Sequence, residues 1–204
     1  IMQNSKQLRK KIRGVECLDP DQIIEINGPS ERTDLDALYF FFLALPQNAK
    51  IFLIGRYNFD IRKISHCDFL KVETRDGHSF IEITERTDLK ITFISAHKAK
   101  GLQADYVFLI NCRDEELGFP SQMREHQLIS LVHLAAVNKL RSVSTKRSPK
   151  KSSVQDVFDE ERRLFYVAMT RARKKLFLLT VKNRESPFVL ELRENKNLKI
   201  YKLE

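Results

Sequence analysis

The stretch Asp159–Phe177, DEERRLFYVAMTRARKKLF, is the most strongly patterned part of the chain and the best guide to its fold class. Its apolar side chains recur at helical spacing and cover about 140° of arc, which predicts a helix with one buried face. Acidic residues fill its first turn, and the basic run 173–175 closes it, as the helix dipole favours. The residues that follow, 176–181, predict a buried strand.

Arg171 is the unusual residue of this stretch. At 100° per residue it falls on the border of the apolar face, so its stem can stay in the fold while the guanidinium reaches across a cleft. A helix arginine in a surface ion pair is the alternative interpretation. Arg163 is better explained structurally, because Glu160 lies three residues earlier on the same face.

Strand and helix patterns alternate along the rest of the chain, which favours the α/β class with a mostly parallel sheet. Continuously apolar runs such as IFLI suit parallel strands that are covered on both faces. Strands are predicted at 23–26, 51–54, 91–95, 106–111 and 198–203, and helices at 30–45, 124–140 and from Ser186 onward. Between two further strand-like pieces, 69–74 and 79–84, the pair Asp76-Gly77 predicts a hairpin.

The composition favours an acidic partner. Thirty-six basic against 27 acidic residues give a net charge of +9, which suits nucleic acid first and an anionic membrane second, with simple solubility as the alternative. No apolar run approaches the roughly 20 residues that span a bilayer. Three scattered cysteines fit a reducing compartment such as the cytoplasm, without a disulfide framework or a zinc site.

Two segments have a composition unlike the rest. Residues 1–18 form a basic lead-in, and 138–156 is predicted to be a flexible insertion, because its basic, Ser-rich sequence cannot bury a core. Either segment could instead contact DNA phosphates. Because the chain opens with Ile1 rather than Met, we expect it to be a segment of a longer protein.

Polar residues follow two of the predicted strands, at the carboxyl ends where open α/β sheets place their ligands. Arg56 follows strand 51–54, although an exposed loop arginine is the alternative. After strand 91–95, His97 has no partner at metal-ligand spacing, and Lys98 and Lys100 favour phosphate contact over simple solvation. The chain has no GxxxxGK[ST] or GxGxxG pattern, so it would not cradle nucleotide phosphates itself.

Two stretches resemble one family. HKAKGLQADYVFL (97–109) and EERRLFYVAMTRARKKLFL (160–178) look like motifs V and VI of superfamily 1 DNA helicases of the UvrD/Rep type, and GRYN (55–58) resembles a less specific motif of that family. The matches span about 51–190, and the tail at 185–189 is similar to the helicase IV branch. Only 32 residues separate Asn58 from Ile91, so the large accessory domain of many relatives would be absent, with a small hairpin at 69–84 in its place.

The resemblance implies that residues 1–204 are one C-terminal, RecA-like domain without its own Walker A loop. ATP and Mg²⁺ would be held mainly by a preceding N-terminal RecA-like domain, and no cofactor is expected on this chain alone. The full protein would move 3′ to 5′ on DNA, single-stranded or at duplex junctions, in a bacterial cytoplasm at the nucleoid. No membrane partner is implied.

The resemblance also implies roles for individual residues. Arg171 would be the arginine finger that stabilises the transferring phosphoryl group of ATP. ATP contacts would come from Gln103, Gly101, Arg171 and, more weakly, Arg56, and DNA contacts from Ser95, His97, Lys98 and Lys100. Relatives usually carry Glu where Gln103 stands, although an amide still makes hydrogen bonds, and Ser95 replaces a more usual Thr.

Two alternatives remain open from the sequence. The chain could be a catalytically inert nucleic-acid-binding or interaction module that keeps the fold without a working partner domain. It could also belong to a helicase–nuclease of the AddA or RecB kind, although its tail carries no clustered carboxylates.

Overall fold

The computed structural model describes residues 22–65, 67, 69–75, 78–123, 154–194 and 198–203. The basic lead-in 1–18, the helix predicted at 124–140 and residues 138–153 of the predicted insertion lie outside these ranges. Residues 154–156, the end of that predicted insertion, begin a helix.

The described residues form eight strands, four α-helices and one 3₁₀ turn. The strands are β1 (Ile23–Gly28), β2 (Lys50–Gly55), β3 (Leu70–Arg75), β4 (His78–Ile83), β5 (Lys90–Ser95), β6 (Ala104–Leu109), β7 (Ala172–Val181) and β8 (Lys199–Lys202). The helices are α1 (Glu31–Ala44), α2 (Ile61–Ile64), α3 (Val154–Met169) and α4 (Pro187–Glu194), and the 3₁₀ turn is Asn58–Asp60.

All eight strands belong to one sheet, in the order β3-β4-β5-β2-β6-β7-β1-β8. The six strands from β5 to β8 in this order pair in parallel, whereas β3 and β4 form the predicted hairpin and add to β5 in antiparallel fashion. The predicted α/β class with a mostly parallel sheet is therefore confirmed, and the layout agrees with the RecA-like arrangement that the resemblance implies.

Apolar clusters cover both faces of the sheet. On β2, Ile51 and Leu53 join the cluster that contains Leu38 and Phe42 of α1. Phe52 and Ile54 join the opposite cluster, in which α3 and α4 contribute Leu164, Phe165, Ala168, Phe188 and Val189. Because successive strand side chains point to opposite faces, a strand that packs on both sides must be continuously apolar.

Helix α3 ends earlier than its apolar pattern suggests, and the prediction that residues 173–175 close this helix is wrong. The Thr170 hydroxyl donates to the carbonyl oxygens of Tyr166 and Val167, both at 3.0 Å, and such local bonds compete with helix continuation. Strand β7 begins at Ala172, which pairs with Ala104 of β6. Arg171 therefore lies in the turn between helix and strand rather than on the border of a helix face.

Arg86 fastens the end of α1 to the loop that follows the hairpin. Its guanidinium forms a bidentate pair with Asp88 at 2.9 and 3.0 Å. It also donates to four carbonyl oxygens, those of Phe42 (3.0 Å), Leu43 (2.8 Å), Leu45 (2.9 Å) and Pro46 (3.3 Å). Phe42 and Leu43 lie in the last turn of α1, where the carbonyl groups of a helix lack an i+4 donor.

Both outer strands of the sheet carry charge. On β3, Glu73 lies between Lys71 (3.1 Å) and Arg75, and it pairs with both. On β8, Lys199 and Lys202 are exposed.

Candidate functional site

The candidate residues lie at two opposite edges of the sheet. Six-residue parallel strands separate these edges by about 16 Å, at about 3.3 Å per residue. Residues 96–103 cross from the end of β5 to the start of β6, and α3 lies between β6 and β7 in the chain. The carboxyl edge carries Arg56, Ser95 and His97, and the amino edge carries Gln103 and Arg171.

A buried ion pair organises the carboxyl edge. Nε of Arg56 donates to Oε1 and Oε2 of Glu161 at 3.0 and 2.8 Å, and Nη2 donates to Oε1 at 2.5 Å. The two side chains are only 12% and 7% exposed. The backbone amide of Ser121 adds a third donor group to Glu161, at 2.9 Å. Burial alone would lower the pKa of Arg56, but the hydrogen bonds and charge of Glu161 raise it above its ordinary value.

His97 lies next to this pair, with Nδ1 at 3.4 Å from Nη1 of Arg56. Arginine has donors alone, so a hydrogen bond here requires Nδ1 to accept and the ring proton to sit on Nε2. Lys98 and Lys100 are exposed, whereas Ser95 is buried at the end of β5. The structure thus groups Arg56 with the predicted DNA contacts. The length of the strands separates it from Gln103 and Arg171, which are predicted ATP contacts.

The loop after β2 also holds two aromatic rings that the sequence motifs leave out. Tyr57 and Phe59 are stacked, with their ring centroids 4.8 Å apart and their planes inclined by 10°. The Tyr57 hydroxyl is hydrogen-bonded to the Ser121 hydroxyl, and the Arg56 guanidinium carbon lies 4.6 Å from the Tyr57 ring centroid. The sequence signal that could have identified them is RYNF, in which a basic residue stands next to the first of two aromatic residues.

Asp60 fixes the shape of this loop from inside. Its Oδ2 accepts a hydrogen bond from the Tyr57 amide at 2.8 Å, and burial raises the pKa of its carboxyl above the usual range. A Cβ at Gly55 would lie 2.7 Å from the Asp60 Cβ. This contact is too close for any side chain, so the loop requires glycine at that position.

Arg171 and Arg173 dominate the amino edge. Arg171 donates to the carbonyl oxygens of Val167 (2.7 Å, from Nε) and Leu102 (3.3 Å, from Nη1) and to the Thr170 hydroxyl (2.9 Å, from Nη2). Nε of Arg173 donates to the side-chain oxygen of Gln103 at 3.1 Å. All four acceptors are neutral, so within the described ranges the hydrogen bonds of neither guanidinium involve a carboxylate.

Gly101 lies two residues before Gln103, in the crossing segment 96–103. Its φ is +81°, and no atom lies within 4 Å of the position that a Cβ would occupy there. Glycine is therefore required by the backbone conformation and not by crowding from the rest of the protein.

Neither a metal-binding cluster nor a membrane-spanning helix is found in the described part of the chain. Its His, Cys, Asp and Glu side chains form no group of three or more that could hold a metal ion. None of the described helices has the length and apolar character needed to cross a membrane.

Comparison with known proteins identifies relatives of this chain. The model of the UvrD-like helicase C-terminal domain matches residues 74–183. DNA helicase IV of Escherichia coli strain K12 is 30% identical over 190 residues, which cover 93% of this chain and 23% of the relative. An ATP-dependent helicase/nuclease chain of Streptococcus equi subsp. zooepidemicus is 28% identical over 130 residues, covering 56% of this chain and 11% of the relative.

The chain therefore spans less than a quarter of the length of these two relatives. Among solved structures, the large terminase of a thermophilic bacteriophage is 12% identical and aligns with a TM-score of 0.39, over 89% of this chain and 39% of the terminase chain. That structural likeness is too weak to assign a fold.

Proposed function

Because the chain belongs to the UvrD-like helicase C-terminal domain family, we propose that it is the second motor domain of an ATP-dependent DNA helicase. In this proposal Arg171 is delivered to ATP that is held on an N-terminal RecA-like domain of the same polypeptide, and the carboxyl edge of the sheet grips single-stranded DNA. Translocation from 3′ to 5′ is part of the proposal, as is action in the cytoplasm, where a bacterial chromosome lies.

The observation that carries this proposal is the bonding of Arg171. Its three acceptors are neutral oxygens, unlike those of Arg56, Arg86 and Arg162, each of which pairs with a carboxylate. A phosphate oxygen carries negative charge that these carbonyl and hydroxyl oxygens lack, and guanidinium–phosphate pairs are frequently bidentate. A phosphate that enters the cleft can therefore displace the present acceptors, and the surface ion pair considered as the alternative for Arg171 has no support in the described residues.

The donors of this chain fit part of a nucleotide site. Arg171 supplies a cation, and Gln103 supplies an amide that can bond a ribose hydroxyl. The sequence has no phosphate loop, and its described residues offer no metal site. The phosphates and Mg²⁺ would accordingly be held on the other domain, where the metal neutralises charge on the phosphates during phosphoryl transfer.

Two edges of one domain would then serve two ligands. Arg171 stabilises the phosphoryl transition state only when the cleft between the domains is closed, so hydrolysis and closure are linked. At the other edge Arg56, His97 and the exposed Lys98 and Lys100 provide cations for DNA phosphates, whose contacts position the strand without specifying its sequence.

The decisive experiment replaces Arg171 in the full-length protein. We expect Arg171→Ala to leave ATP binding nearly intact and to lower DNA-stimulated turnover by about 10³- to 10⁵-fold, the range measured for arginine fingers. Arg171→Lys should restore little, because an ammonium lacks the planar fork of donors. The matched control is Arg163→Ala, which removes an exposed arginine of α3 and should leave turnover unchanged.

Three results would contradict the proposal. Unchanged turnover in Arg171→Ala would show that the finger is misassigned. Loss of ATP binding together with turnover would indicate that Arg171 holds the ground state rather than the transition state. If full-length wild-type protein shows no DNA-stimulated turnover at all, the chain is instead the inert nucleic-acid-binding module considered from the sequence.

The helicase–nuclease alternative is less well supported. The relative named as a helicase/nuclease matches 56% of the chain, whereas DNA helicase IV matches 93%. We therefore favour a helicase without an attached nuclease. Digestion of single-stranded DNA by the purified full-length protein with Mg²⁺ would reverse this preference.

A further inference from the structure

The loop between β2 and α2 contains an aromatic surface that the proposed phosphate grip does not use. Tyr57 and Phe59 are nearly parallel at 4.8 Å, and Phe59 is 40% exposed. Neither ring belongs to the two apolar clusters of the described core. A single exposed aromatic ring is ordinary in proteins, so the way these two rings are held and the groups around them decide whether they have a ligand.

The surrounding structure holds the rings in place. The Tyr57 amide donates to Asp60, and the Tyr57 hydroxyl is bonded to Ser121. Ser121 in turn donates from its amide to Glu161, which also binds Arg56. Tyr57 is thus anchored to buried groups at both its backbone and its hydroxyl. A platform that is ordered before binding loses little conformational entropy when a ligand stacks on it.

The charge around the rings favours an anionic ligand. The Arg56 guanidinium lies 4.6 Å from the Tyr57 ring and contacts His97, from which the exposed Lys98 follows directly. The two nearby carboxylates do not present free negative charge at this surface. Glu161 is buried and paired with Arg56, and Asp60 is fully buried.

Polar and aromatic features of this kind together fit one class of ligand. Cations track a phosphate backbone, while aromatic faces stack on bases, and the combination is typical of proteins that bind single-stranded nucleic acid. A double helix would not expose a base face to these rings. An anionic membrane would contact the cations but would not need a parallel pair of rings.

We propose that Tyr57 and Phe59 form a stacking platform for one base of the bound DNA strand. This inference deepens the proposed function and rests on it, because it presumes that single-stranded DNA binds at the carboxyl edge. The domain would then hold its strand by a base as well as by phosphates. Because every base has an aromatic face, the contact would be tolerant of sequence.

The test compares two strands of equal length, oligothymidine and a strand with abasic sites throughout. Affinities of the full-length protein are measured for both by fluorescence anisotropy at one salt concentration. We expect Phe59→Ala to weaken binding of oligothymidine by about 5- to 150-fold, the range for losing one stacked base. Binding of the abasic strand should not change, since that strand offers no base to stack.

Three controls separate stacking from other effects. Phe59→Tyr keeps an aromatic face and should retain the wild-type affinity. Phe80→Ala removes a ring of similar exposure, 42%, from the distant hairpin strand β4 and should change neither affinity. The dependence of affinity on salt should keep its slope in Phe59→Ala, because that slope reports phosphate contacts alone.

The outcomes distinguish the platform from the proposed function beneath it. Equal losses on both strands, or no loss on either, would overturn the platform while leaving DNA binding by this domain intact. If wild-type protein binds neither strand, the proposed DNA-binding function fails and the platform with it. Circular dichroism of each variant shows whether the fold is retained.

Discussion

At the scale of single residues, the tie between Arg56 and Glu161 has the clearest energetic consequence. Both side chains are almost fully buried, and Glu161 also accepts from the Ser121 amide. Removal of one partner from such a pair leaves an uncompensated buried charge, which costs far more than the intact pair contributes. Glu161, on α3, connects this helix to the loop after β2 and to the segment that contains Ser121.

We expect Glu161→Ala to lower the free energy of unfolding by about 3–5 kcal/mol, the range for breaking a buried ion pair. The matched control is Glu160→Ala, one position earlier, whose pair with Arg163 is 63% and 61% exposed and should contribute about 0–1 kcal/mol. Urea unfolding of both variants measures the difference. Equal costs would show that the Arg56 pair is effectively solvated.

A second prediction concerns acid. The hydrogen bonds from Arg86 lower the pKa of Asp88 from 3.8 to about 2. Because the folded pKa is depressed, the pair stabilises the fold above the unfolded value, and this contribution is lost as the pH falls towards 2. Asp88→Asn should therefore have a lower melting temperature than wild type near neutral pH, and the two should converge as the pH approaches 2. A difference that is constant with pH would contradict this.

At the scale of elements, α3 connects the two candidate edges. Glu161 lies in its first half and is bonded to the loop after β2, and Arg171 follows closely on its last residue, Met169. Eight helical steps separate Glu161 from Met169, a distance of about 12 Å at 1.5 Å per residue. A helix is stiff over that length, so movement at one edge can be transmitted to the other.

If α3 transmits DNA occupancy, weakening its tie to the loop after β2 should uncouple the two ligands. We expect Glu161→Gln in the full-length protein to reduce the change in DNA affinity that ATP binding causes, and to reduce by the same factor the change in ATP affinity that DNA causes. Arg163→Ala on the same helix is the control. Undiminished coupling in Glu161→Gln would show that the connection runs elsewhere.

How far the elements could be predicted depends on how local their causes are. The hairpin, the start of α1 after Ser30 and the start of α4 after Ser186 follow from nearby residues, and the sequence predicts all three. The end of α3 does not follow from nearby residues, because 171–175 continue a helical pattern. Pairing of Ala172 and Lys175 with β6 overrides that pattern, and such pairing is set by segments far away in the chain.

The same distinction applies to the candidate site. His97, Gln103 and Arg171 stand in motifs with fixed spacing, and a motif identifies them without a structure. Tyr57 and Phe59 have a weaker sequence signal, two aromatic residues beside Arg56, and their stacking is seen in the structure, where the turn 58–60 brings their rings together. The sequence pattern likewise places Arg173 at a helix end, whereas its contact with Gln103 arises from the pairing of β6 with β7.

At the scale of the whole molecule, the proposed function gives this domain one half of a nucleotide site. The 204-residue chain carries no phosphate loop, so we expect it to show no ATP hydrolysis, with or without single-stranded DNA. Release of phosphate from ATP by the purified chain measures this directly. Turnover that follows the chain through purification would contradict the two-domain proposal, whereas restored turnover on adding the ATP-binding domain would support it.

Strand order is the global feature that no local pattern predicts. β1, the first described strand of the chain, lies between β7 and β8, the last two. A buried apolar strand is stabilised in any position that is covered on both faces. The apolar runs therefore indicate parallel pairing without indicating which strands are neighbours.

The charges on the two outer strands bear on how this protein behaves at high concentration. An unprotected outer strand offers unpaired backbone groups to other molecules, and lysine side chains there oppose such association. The outer strand β3 is protected by the charged residues Lys71, Glu73 and Arg75, and the outer strand β8 is protected by Lys199 and Lys202. Replacing the lysines of either outer strand with threonine or valine would remove this protection and favour fibrous aggregates, even in molecules whose ligand sites remain intact.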